Sequence, residues 1–107
     1  MTSEHTKNAV VSNAEAILAG DLGIIAGCVR LAALAHDAVP NWAADKDFVV
    51  FGALASETDH LPTGSARKYW NESALAAADV GIARIEESAR ADVLRACRGV
   101  IERFKNA

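Results

Sequence analysis

The apolar residues of this chain recur every three or four positions over most of its length, the spacing of one helix face and not the alternation of a strand. Val10, Ala14, Ile17 and Leu18 predict a first helix over residues 7–19, with Gly20 available as its terminator. Asp21 reads as the N-cap of a second helix over 22–37, closed by Val39 and Pro40 because proline disfavours helical geometry in the residue before it. Gly20, Gly23 and Gly27, at spacings of three and four, mark a smooth face where another helix can approach closely, although each glycine costs about 1 kcal/mol of helix propensity.

Pro40, Asn41 and Trp42 form a connection, after which Asp45 or Asp47 caps a third helix through Phe48, Val49, Val50, Phe51, Leu54 and Ala55. The β-branched and aromatic run 48–51 also fits a buried strand, but residues 52–55 continue it without a turn signal, which favours helix. A loop over 59–64 and a short helical turn over 66–70 follow. Asn71 or Ser73 then caps a last helix in which Leu75, Ala78, Ile82, Ile85, Ala89, Val93, Cys97, Val100 and Phe104 line one side. Unbroken, it is a rod of about 30 residues and roughly 45 Å, longer than the other helices, so that part of its face is left for a second copy or a partner. Gly81 or Ser88 offers a bend instead. The pattern is all-α: a compact bundle of about four helices with a long amphipathic C-terminal helix, one domain over 1–107 with 1–6 as a flexible polar tail.

Composition narrows the class. With 107 residues, 51% of them hydrophobic, the chain can bury one core without disulfides, and alanine, about a fifth of it, favours helix. Cys28 and Cys97 lie far apart, in apolar helical patterns, without the spacing of a redox or zinc motif. Residues 1–8 lack the basic-then-apolar order of a secretory signal, so a reducing cytoplasm is the expected location. The most apolar stretch, 17–35, is broken by Asp21 and Arg30, leaving only 22–29 without charge, well short of the roughly 20 residues a bilayer span needs.

Charge is uneven: residues 1–62 carry eight acids and three bases, 63–83 two of each, and 84–107 four acids and six bases. The net charge of −3 argues against nucleic-acid binding, which depends on basic side chains neutralising phosphates. The acidic half suits a basic partner instead.

The densest polar group is Ser56-Glu57-Thr58-Asp59-His60, with Asp45 and Asp47 at the other end of the same predicted helix. It has neither the two-histidine spacing of a zinc protease helix nor the alternating acids of a calcium loop, and no cofactor motif accompanies it. Gly20-Asp21-Leu22-Gly23 is no phosphate cradle, because it follows a helical pattern and lacks a following Lys-Ser or Lys-Thr. The plainer reading of the polar group is a helix exit, with Thr58 and Asp59 bonding backbone amides and His60 at the negative end of the helix dipole. Trp42, Tyr69 and Trp70 fall in connections, where such rings plug bundle ends or anchor interfaces; plugging is preferred. The arginines 84, 90, 95, 98 and 103 interleave with Glu86, Glu87, Asp92 and Glu102 as a solvated face, with Glu86–Arg90 an expected pair.

The strings Asp47-Phe48-Val49-Val50-Phe51 and Ser56-Glu57-Thr58-Asp59-His60-Leu61-Pro62, with Arg67, Trp70 and Ala96-Cys97-Arg98, resemble an uncharacterised family of small bacterial helical proteins over roughly residues 15–104. The resemblance implies a small bacterial helical protein and says nothing about catalysis. The expected function is a non-catalytic protein-binding module, such as a toxin-neutralising immunity protein, with Asp45, Asp47, Glu57, Asp59, His60, Arg67 and Trp70 facing a basic partner. The alternative is a small-molecule or metal-binding protein or enzyme using Glu57, Asp59, His60 and Arg67, which requires those groups to share one concave site. A homodimer along the last helix is a third reading.

Overall fold

The Ser3 hydroxyl accepts the Thr6 amide at 3.1 Å and starts a helix over Glu4–Ala19 (α1). The computed structural model describes residues 3–62 and 64–105; Met1 and Thr2 of the expected tail and Thr63 of the expected loop lie outside them. Because Ser3 caps the helix and Thr6 is buried, residues 4–6 belong to α1 and not to a tail.

Gly20 ends α1 in the left-handed conformation, φ +82°, with its amide donating to Ile17 and the Asp21 amide donating to Ala16, which closes the carbonyls that the helix leaves open. The second helix, Ile24–Ala38 (α2), starts at Gly23, which is extended and makes no side-chain cap, so the N-cap expected at Asp21 is not formed. The glycine face is also smaller than expected. A side chain at Gly20 or Gly23 would meet open space, whereas one at Gly27 would collide with Ile17 Cδ1 and Cγ1. Only Gly27 is needed for close packing of α1 on α2.

A 3-10 turn over Trp42–Ala44 leads to the third helix, Phe48–Thr58 (α3), and residues 48–51 are helical, not strand. Trp42 packs on Gly52 and stands edge-on to His36 at 5.5 Å, plugging this end of the bundle. A second 3-10 segment, Gly64–Tyr69, precedes the last helix, Glu72–Lys105 (α4), which Asn71 caps by accepting the Ala74 amide at 2.7 Å. α4 is one helix of 34 residues, with no break at Gly81 or Ser88, about 50 Å at 1.5 Å per residue, and it sets the 47 Å long dimension of the molecule.

The described residues are therefore four α-helices and two 3-10 segments without a strand, with α4 lying chiefly against α1 and α2 held between α1 and α3. Val10, Ala14, Cys28, Leu31, Ala35, Phe48, Phe51, Val93, Cys97 and Val100 form the fully buried centre. Removing the larger of these from water is worth about 1.5–3 kcal/mol each. Every fully buried α4 residue lies at or after Val93, while Ile82, Ile85 and Ala89 are half-buried and Val80 is 56% exposed. The predicted apolar stripe is real, and its first half is only partly covered. No helix among the described residues is long and apolar enough to cross a membrane.

Candidate functional site

The acidic residues expected to act together lie at opposite ends of α3. At its start Asp45 is the capping residue: its Oδ1 accepts the amides of Asp47 at 2.9 Å and Phe48 at 3.2 Å. Arg103 Nη1, from the far end of the chain, donates to Asp45 Oδ1 at 2.9 Å and to Asp47 Oδ2 at 3.0 Å. Both carboxylates are about nine-tenths buried. Burial by itself would raise the Asp45 pKa, but the hydrogen bonds from Arg103 and from the two amides, with the arginine's charge, outweigh it and hold the group below the ordinary carboxylate range. The same contacts raise Arg103, first through the hydrogen bond to Asp45.

Gly99 makes this cluster fit. It lies one turn before Arg103 on α4, and a Cβ there would sit 2.7 Å from Asp47 Oδ1 and 3.0 Å from its Cγ. Gly99→Ala would gain up to about 1 kcal/mol of helix propensity but would push Asp47 off Arg103. A net loss of about 1–2 kcal/mol is expected, read as a lower thermal midpoint; an unchanged or higher midpoint would mean that Asp47 can move aside freely.

At the other end of α3, the Thr58 hydroxyl donates back to the Leu54 carbonyl at 2.8 Å, where bonds to loop amides had been expected. Glu57 is exposed, and Asp59 and His60 form a loose pair at 3.7 Å with side chains 76% and 72% exposed. Arg67 turns away from them. Its guanidinium forks onto Asp79 at 2.8 and 3.0 Å and donates to the Pro62 carbonyl at 3.1 Å, tying the 3-10 segment to α4 and to the α3 exit. The hydrogen bond between the pair raises Arg67 and lowers Asp79. Beside this brace Tyr69 is 80% exposed and Trp70 38% exposed, so neither ring plugs the bundle as Trp42 does. The Lys68 ammonium lies 5.1 Å from the Tyr69 ring centre.

The model of one protein family matches residues 3–100, nearly the whole chain. The chain belongs to the DUF2489 family, described as proteins of unknown function. No curated protein and no solved structure matches it. Membership therefore agrees with an uncharacterised family and leaves the reading of this DUF2489 chain to its surfaces.

Open grooves lie between the helices of the described residues. One, of about 460 Å³, lies between the start of α3 and the second half of α4, lined by Lys46, Asp47, Arg95, Arg98, Gly99 and Glu102. A second, of about 340 Å³, separates the α1–α2 turn from α4 at Glu86, Arg90 and Leu94. A third, of about 210 Å³, includes Ile25, Pro62, Arg67, Asp79 and Ile82. Glu57, Asp59 and His60 line none of these three, and no group of three or more histidine, cysteine or acidic side chains is placed to hold a metal among the described residues.

The remaining expected groups are packed or solvated. Cys28 and Cys97 are buried thiols, pushed up by burial to about 12 and about 11, so neither is a thiolate near neutral pH. Arg90 pairs with Glu87 at 3.7 Å instead of Glu86, and Arg95 with Asp92 at 3.3 Å. Arg103 is the arginine that sequence reasoning misassigned, because its spacing along α4 matches a solvated face while its partners lie more than fifty residues away.

Proposed function

We propose that this chain is a non-catalytic protein-binding module of the bacterial cytoplasm, engaging its partner through the end of the bundle formed by the α3 exit and the 3-10 segment. A toxin-neutralising immunity protein is the specific form of that role. The observation that carries the reading is the exposure of Tyr69 and Trp70 on a segment braced by the bidentate Arg67–Asp79 pair and the Arg67–Pro62 bond. Tyrosine and tryptophan dominate interface energetics, and an anchor already held in place loses little freedom on binding. Asp59 and Glu57 supply an exposed acidic rim on the same end, suited to steering a basic partner. Asp45 and Asp47 take no part in that rim, since both are largely buried and paired with Arg103 at the opposite end of α3.

The test is affinity capture from the source cell with native protein, a Tyr69→Ala/Trp70→Ala variant and an Asp59→Ala/His60→Ala variant, at low and high salt. A single stoichiometric partner is expected with native protein, lost by at least about tenfold with the aromatic variant and weakened by salt or by the rim variant. A partner retained equally by the aromatic variant would place the interface elsewhere and sink this reading.

A further inference from the structure

The groove between the start of α3 and the second half of α4 lies in the basic part of this acidic protein. Three of its six lining residues are cationic, from two parts of the chain: Lys46 from the segment before α3, and Arg95 and Arg98, three positions apart on α4. Lys46 and Arg98 form no ion pair among the described residues, and Arg95 has only its exposed neighbour Asp92 at 3.3 Å. The two acids of the lining differ in state. Asp47 is already bonded to Arg103, whereas Glu102 forms no ion pair among the described residues. At about 460 Å³ the space exceeds a bare inorganic anion and falls within the range of small-molecule sites.

We propose that this groove binds a hydroxyl-bearing phosphate ester, the chemistry shared by sugar phosphates and by polyol phospholipid headgroups. A phosphoryl group offers three oxygens to several donors at once, which suits a groove lined by Lys46 from one segment and Arg95 and Arg98 from another; a carboxylate offers two oxygens in one plane. Glu102, an acceptor when ionised, requires a donor on the ligand, and a ligand hydroxyl supplies it. Asp47 stays bonded to Arg103 and close against Gly99. The site is separate from the aromatic end of the bundle and stands whether or not that end binds protein.

The experiment is an amide NMR titration of the full chain with ribose 5-phosphate, following Lys46 and Gly99, with inorganic phosphate and ribose as half-ligands and phosphatidylglycerol vesicles as the lipid source. Saturable shifts confined to the groove are expected with ribose 5-phosphate or with vesicles, stronger than with either half-ligand. Whichever of the two saturates identifies the source. Lys46→Gln and Arg98→Gln, both at exposed positions, should each weaken binding about tenfold at unchanged thermal midpoint, while Arg84→Gln, a cation of α4 outside the groove, should not. Absence of saturation with both ligands up to about 10 mM, or equal weakening by Arg84→Gln, would overturn the proposal.

Discussion

Arg103→Met should lower stability at neutral pH by about 3 kcal/mol, because it leaves two buried carboxylates with no counter-charge. For a domain of this size that is a fall of roughly 10–20 °C in thermal midpoint. The loss has a pH signature whose sign follows from Asp45. In the native chain its folded pKa lies below the unfolded value, so its contribution is complete above the ordinary carboxylate range, about 4, and is lost as pH falls through the folded value. Without Arg103 the largest lowering contact is gone while burial remains, and the Asp45 pKa rises. Its protonation then relieves the strain, so the gap between variant and native protein should narrow as pH falls from 7 toward about 4. Thermal melts of both proteins across that range measure it. A deficit below about 1 kcal/mol, or one that stays constant with pH, would show that the pair contributes only as packing.

Phe48→Ala is expected to cost about 3–5 kcal/mol. The ring is fully buried and meets Phe51 edge-on at 5.7 Å and Phe104 at 6.3 Å, so its loss opens a cavity where α3 meets the end of α4. Val49, next in sequence and 41% exposed, is the internal comparison, and its alanine variant should stay within about 0.5 kcal/mol of native. Urea denaturation with constant slope gives both values. A Phe48→Ala cost under about 1 kcal/mol would mean that the neighbouring rings collapse into the space.

The two ends of α3 explain how far the site was legible. Asp45 as a cap is a local matter, since an acid three residues before a helical run accepts amides that the run itself leaves open. Its ion pair is not local. Arg103 resembles the other arginines of α4 in every sequence property, and only the packing of α3 across Gly99 brings it to Asp45 and Asp47. A faint signal existed in Gly99 and Arg103 standing four apart on one helix face, a smooth spot beside a long cation. At the α3 exit, Glu57, Asp59, His60 and Arg67 are close in sequence, yet Arg67 reaches Asp79 because the 3-10 segment turns it toward α4. Proximity along the chain misled there.

Helix identity came from short-range information: apolar spacing, Gly20 after α1, Pro40 beyond α2 and Asn71 before α4 act within a few residues. The helix starts moved to Glu4, behind the Ser3 cap, and to Ile24, behind an extended Gly23, and both starts coincide with buried residues, Thr6 and Ile24. The exposure of Tyr69 and Trp70, the half-covered first part of α4 and the cationic groove all depend on which faces meet. The sequence alone determined an all-α chain with a long last helix, because helix formation depends on local spacing and caps. The pairing of Arg103 with Asp45 and Asp47, and the surfaces left open, were decided only by tertiary packing, because charge and burial act between residues that the chain itself holds far apart.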